Sequence, residues 1–129
     1  MIIEAIDEQG KKVATGRFGT QTREYKAMLG YVRRQWPQHR WAIEGAQGVG
    51  RPLTQRLLAD GGTVVDIPAR LAARVRVFET GHARKIDATD AHAIAAAALR
   101  TPDLASYRGA SLQPVRHSGL PRVWLTPDL

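Results

Sequence analysis

The segment RWAIEGAQGVGRPLTQRLLADGGTVVDIP, Arg40 to Pro68, constrains the fold of this chain more than any other. Arg40 to Glu44 is a short β-type run that ends directly on glycines, Gly45, Gly48 and Gly50. Leu53, Leu57 and Leu58 then recur at helical spacing. The helix they imply stops at Gly61-Gly62, where glycine takes the left-handed conformation without a Cβ penalty. Thr63 to Ile67 is a second β-type run, closed by Pro68. Strand, helix and strand in so short a span predict a parallel pair joined by a crossover helix, the unit of α/β layer folds.

The flanks extend that plan. Ile2 to Asp7 reads as a strand, Asp7-Glu8-Gln9-Gly10 as a turn, and Lys11 to Phe18 as the return strand of a hairpin. Tyr25, Met28, Leu29, Val32 and Trp36 fall on one face of a helix that Thr20 or Thr22 can cap and Pro37 ends. Arg70 to Phe78 reads as a basic helix, Thr80 to Ile86 as a loop, and KIDATDAHAIAAAAL, Lys85 to Leu99, as an alanine-rich helix. Past Arg100 the periodicity fades among Pro102, Gly109, Pro114, Gly119, Pro121 and Pro127. An irregular tail is expected over 105–129, with Trp124 unplaced, while Trp36 and Trp41 anchor the core. A hairpin joined to a strand–helix–strand unit is the plan of ribonuclease-H-like domains.

With 129 residues the chain has one domain's worth of core-forming sequence. Nineteen Lys and Arg against twelve Asp and Glu give a net charge of +7, which favours a polyanionic partner, nucleic acid first. The absence of cysteine excludes a disulfide scaffold and a thiolate metal site. No apolar run reaches the length of a membrane span, and the N-terminus lacks the pattern of a signal peptide. A cytoplasmic location is the expectation.

Two acids open the alanine-rich helix. Asp87 and Asp90 can cap it and favour its dipole, each contributing about 0.5–2 kcal/mol at best. Residues i and i+3 also lie side by side, with Cβ atoms roughly 5–6 Å apart, so the pair can hold an oxygen-seeking cation such as Mg²⁺. The two roles are compatible, and the spacing alone leaves both open. Glu44 ends a strand at its carboxyl end, where α/β sheets place ligands. Arg70, Arg74, Arg76, Arg84 and Lys85 lead up to the acid pair, as a solvated face or as phosphate contacts. The glycines after Glu44 lack the Gly-Lys-Ser/Thr ending of a phosphate loop and read as a tight strand-to-helix turn. His39, His82, His92 and His117 have no zinc-ligand spacing.

The E-G-x-x-G-x-G segment at Glu44 and the K-x-D-x-x-D-A segment at Lys85 carry a resemblance. From Ile2 to about Leu104 the chain resembles the N-terminal domain of DEDD-type insertion-sequence transposases, relatives of the Piv DNA invertase. That resemblance implies a ribonuclease-H-like (RuvC-like) three-layer domain, DNA as partner, and Mg²⁺ or Mn²⁺ held by four acids in the order Asp, Glu, Asp, Asp. Glu44 matches the second, Asp87 the third and Asp90 the fourth; the same three are then the catalytic residues. Intact relatives are implied to be oligomeric, to carry a second domain with a catalytic serine, and to use a guide RNA.

No residue here matches the family's first aspartate, and neither Glu4 nor Asp7 inherits its role. The central strand that carries that acid is therefore expected to be missing, leaving 1–104 as a partial domain and 105–129 as a non-homologous tail. A chain with such a gap is expected to be unstable, rearranged or oligomeric. The serine domain is not recognisable either. The reading that follows is a transposase or recombinase fragment, truncated at both ends and inactive alone. Two other readings stay open: a nucleic-acid-binding module without chemistry, and a standalone metal-dependent nuclease.

Overall fold

The computed structural model describes residues 1–7, 9–68, 70–71, 104–108, 111–114 and 123–128, the last residue and 111–114 as backbone. The described elements are β1 (Ile2–Asp7), β2 (Lys12–Arg17), α1 (Thr22–Gln35), β3 (His39–Glu44), α2 (Arg51–Ala59), β4 (Thr63–Ile67), β5 (Ala105–Arg108), β6 (Ser111–Pro114) and β7 (Val123–Asp128). The strands form one mixed sheet in the order β2-β1-β7-β3-β4-β5-β6. Of the helix expected over Arg70 to Phe78 only Arg70 and Leu71 are described, both helical, and the segment Lys85 to Leu99, expected to be a helix, lies outside the described residues.

The hairpin forms as expected. Its turn is built by Asp7, whose Oδ1 accepts the backbone N–H groups of Gln9 at 3.0 Å and Lys11 at 2.9 Å. Helix α1 starts at Thr22 with Gln21 at its N-cap and no side-chain cap hydrogen bond. The expected threonine cap is thus not made; the acidic Glu24 in the first turn favours the dipole instead. The apolar stripe of α1 behaves as read, burying Tyr25, Met28, Leu29 and Val32. The strand–helix–strand unit also forms, with β3 and β4 parallel from Trp41↔Val64 to Glu44↔Ile67. Gly61, at φ +85°, ends α2, and the N–H of Gly62 reaches the Leu57 carbonyl at 2.8 Å.

Helices α1 and α2 cover one face of the sheet. Ile3 and Ala5 of β1, Trp41 and Ile43 of β3, Val64 of β4, and Val123 and Leu125 of β7 join the apolar side chains of both helices in one core. Strand alternation puts Glu4, Ile6, Ala42, Val65, Ile67, Trp124 and Thr126 on the opposite face. They too are buried, all at 1 % exposure or less. A sheet buried on both faces needs apolar residues in both registers, and β1, β3 and β4 supply them.

Two expectations are corrected at the far end of the chain. The segment 105–129, expected to be irregular, supplies three strands, and Trp124 is fully buried. The gap expected beside β1 is filled: β7 pairs antiparallel with β1 from Ile2↔Asp128 to Asp7↔Val123, and parallel with β3 from His39↔Val123 to Trp41↔Leu125. The physical reason is the demand for pairing, because an open slot would leave backbone donors and acceptors of β1 and β3 without partners. That demand overrides a sequence signal that argued against a strand, since Pro127 lies inside β7.

Candidate metal centre and nucleic-acid interface

Glu44 is the last residue of β3, at the carboxyl ends of the parallel pair, and is partly buried. The turn behind it explains its glycines. Gly45 sits at φ +63°, a conformation that a Cβ penalises. A Cβ at Gly50 would come within 2.5 Å of Ile43 Cγ2 and 3.1 Å of the Glu44 carbonyl. Gly48 has only ordinary contacts, 3.7 Å from the Gly45 carbonyl. Two of the three glycines are therefore required, one by conformation and one by close approach.

The turn is tied down from several sides. Gly45 donates to the Ile67 carbonyl at 3.0 Å, while Gly48 and Gly50 donate to the Gly45 carbonyl at 2.8 and 2.9 Å. Asp66 of β4 accepts the Ala46 N–H at 3.0 Å. Strand alternation places Asp66 on the face of Val64, away from that of Glu44, so Asp66 braces the loop rather than extending the acidic site. Glu44 is thus presented by a rigid strand end and a latched turn.

Asp87 and Asp90 lie outside the described residues, as do Arg74, Arg76, Arg84 and Lys85. Of the expected basic contacts only Arg70 is described, exposed at the start of a helix after Pro68. Among the described residues no three His, Asp or Glu side chains converge as a metal cluster. The donor chemistry nonetheless fits a hard cation: Glu44 offers carboxylate oxygen. A Cβ built on Gly45 meets only the Val49 N, at 3.9 Å, so conformation and not crowding is what requires glycine there.

A second feature was not legible in the sequence. A cleft of about 540 Å³ opens at the other end of the parallel strands, where His39 and Thr63 begin β3 and β4. Arg33, His39, Arg40 and Arg108 line it, drawn from α1, β3 and β5. Arg108 arrives there because β5 runs antiparallel to β4 and pairs Thr63 with Arg108. Arg33 is held by a 2.7 Å bond to the Asp60 carbonyl. Asp60 also accepts the Tyr25 hydroxyl at 2.7 Å, and burial with this bond pushes the Tyr25 phenol well above its ordinary range.

Burial pulls the Arg40 guanidinium down from its usual pKa. A guanidinium keeps its proton at neutral pH all the same, so Arg40 is a cation held partly out of water. Burial also lowers the pKa of His39, against a bond between its Nδ1 and the Trp36 carbonyl at 2.7 Å. His39 is therefore neutral at pH 7, and the arginines carry the positive charge. No single run in the sequence gathers these groups; only the sheet order does.

A model of the DEDD transposases of the IS110 type, described as transposase, matches residues 2–114. No curated protein and no solved structure gave a match. The matched span takes in Glu44 and its glycine turn, Asp87 and Asp90, and β1 through β6. No described helix is long and apolar enough to cross a membrane. The chain belongs to the DEDD transposases of the IS110 type.

Proposed function

We propose that this chain is a DNA-binding transposase unit in which Glu44, Asp87 and Asp90 jointly hold Mg²⁺ or Mn²⁺. The observation that carries this reading is the placement of Glu44 at the carboxyl end of β3, fixed by a latched turn, inside the span the family model matches. The sheet order supports a ribonuclease-H-like plan, because an antiparallel hairpin stands beside a parallel pair across one central strand. Bound there, the cation would offset the negative charge of a phosphodiester. Glu44 contributes a fixed carboxylate, and the basic residues Arg70, Arg74, Arg76, Arg84 and Lys85 contact flanking phosphates.

Three acids are matched where the family uses four, so the chain alone is expected to bind DNA without cutting it. The test is duplex-DNA binding with and without Mg²⁺, followed by fluorescence anisotropy across a salt series. Binding that Mg²⁺ strengthens, with the gain lost in E44Q, D87N and D90N, supports the reading. Mg²⁺-dependent cleavage abolished by those changes would instead mark a standalone nuclease.

One observation favours a second reading, a nucleic-acid-binding module without chemistry. The cleft lined by Arg33, Arg40 and Arg108 lies at the opposite strand ends from Glu44. Salt-dependent DNA binding that Mg²⁺ and the acid substitutions leave unchanged would select it.

A further inference from the structure

The cleft at the amino ends of β3 and β4 gathers charge that the fold does not neutralise. Arg33, Arg40 and Arg108 line it together with Asp60, so three guanidinium groups against one carboxylate leave +2 among the described lining residues. His39 is neutral at pH 7 and does not change that count. The Asp60 carboxylate is already engaged by the Tyr25 hydroxyl. Neither Arg40 nor Arg108 forms an ion pair among the described residues. Arg40 is partly buried, and a cation held out of water with no counter-charge is costly.

The three cations are fixed before any ligand arrives. Arg33 is held by its bond to the Asp60 carbonyl. Arg40 belongs to β3, which is paired on both sides, by β7 and β4. Arg108 is set by the pairing of β5 with Thr63. Groups placed in advance lose little freedom when they bind an anion.

Size and charge then select among phosphates. A space of about 540 Å³ suits one small molecule, a single nucleotide rather than a stretch of duplex. A phosphodiester brings a single negative charge, whereas a phosphate monoester brings about 1.5 to 2 at pH 7. The monoester is the closer counterpart of this cleft. Guanidinium groups also match the oxygens of phosphate in pairs.

On the reading that this cleft meets nucleic acid, we propose that it is a pocket for the phosphate monoester of a nucleotide, carried by a strand end or by a free nucleotide. Arg33, Arg40 and Arg108 bind the phosphate oxygens, and the nucleotide fills the remaining space.

The probe is a short DNA single strand, labelled with fluorescein at its 3′ end and carrying a 5′-phosphate or a 5′-hydroxyl, added to the full chain. A second pair with label and phosphate exchanged covers the other strand end. Anisotropy should show the phosphorylated strand of at least one pair binding about tenfold more tightly, equivalent to about 1.4 kcal/mol. That preference should be lost in R40Q and R108Q. It should persist in R34Q, which removes the same charge from α1 outside the cleft. Arg108 is exposed, so R108Q tests the pocket even where R40Q fails to fold. Competition by an unlabelled nucleoside monophosphate separates the two sources. Displacement at the affinity of the strand itself assigns a free nucleotide, and weaker displacement assigns a strand end. Equal binding with and without phosphate in both pairs would overturn the proposal, as would a preference that survives R108Q or vanishes in R34Q. Unphosphorylated duplex binding that R108Q still weakens would then keep the cleft as a contact for backbone diesters. A monoester preference without duplex binding would remove that contact and keep the pocket.

Discussion

Replacing Thr126 by valine is expected to stabilise the protein, an unusual sign for a substitution at a fully buried site. Thr126 is 0 % exposed, and its hydroxyl has no hydrogen-bond partner among the described residues. An unpaired buried polar group costs about 1–3 kcal/mol. Valine has the same branching at Cβ, so neither the rotamer nor the strand is disturbed. It also trades the hydroxyl for a methyl group, whose burial is worth up to about 0.8 kcal/mol. A net gain of about 1–3 kcal/mol follows, and each kcal/mol should raise Tm by roughly 3–5 °C for a chain of this size. Urea unfolding followed by tryptophan fluorescence would read it, because Trp124 and Trp41 are both buried. The midpoint should rise with the m-value unchanged. T15V at an exposed position of β2 is the control, expected within about 0.5 kcal/mol of the parent. A loss of stability in T126V would show that the hydroxyl is satisfied and that β7 suits its slot.

Other expectations concern the turn, the cleft and pH. G50A should cost about 1–3 kcal/mol through overpacking against Ile43 and the Glu44 carbonyl, whereas G48A should cost about 0.5 kcal/mol or less; paired denaturant melts would check the contrast. On the second reading, R40A and R108A should weaken duplex-DNA binding across all sequences, each reducing the slope of log affinity against log salt by about 1. His39 is neutral in the fold with a lowered pKa, so the unfolded chain takes up a proton first as pH falls. Its contribution should be flat above about pH 6.5 and should destabilise progressively below it, until the lowered folded pKa is passed. H39N should flatten that slope in melts recorded between pH 7 and 5.

The parts of the fold that the sequence exposed are those where one local rule acts alone. The stripe Tyr25, Met28, Leu29 and Val32 declared α1, and Gly61 with Gly62 declared the end of α2. Glu44 at a strand end was legible because an apolar run stops there on glycines. The division of labour among those glycines was not, since the need for Gly50 arises from contact with Ile43. β7 was hidden for a different reason. A proline within six residues reads as a break, and only the unpaired edges of β1 and β3 turn that segment into a central strand. The basic cleft stayed hidden too, because Arg33, Arg40 and Arg108 meet through the order of the sheet rather than along the chain.

The metal assignment turns on whether Glu44 shares a cation with Asp87 and Asp90, far along the chain. Calorimetric titration of Mn²⁺ into the full chain, and into E44Q, D87N and D90N, puts that question most directly. A saturable site whose affinity drops roughly tenfold or more in all three variants is the expected result. A site that weakens in D87N and D90N but is untouched in E44Q would contradict it, leaving Glu44 as an ordinary strand end.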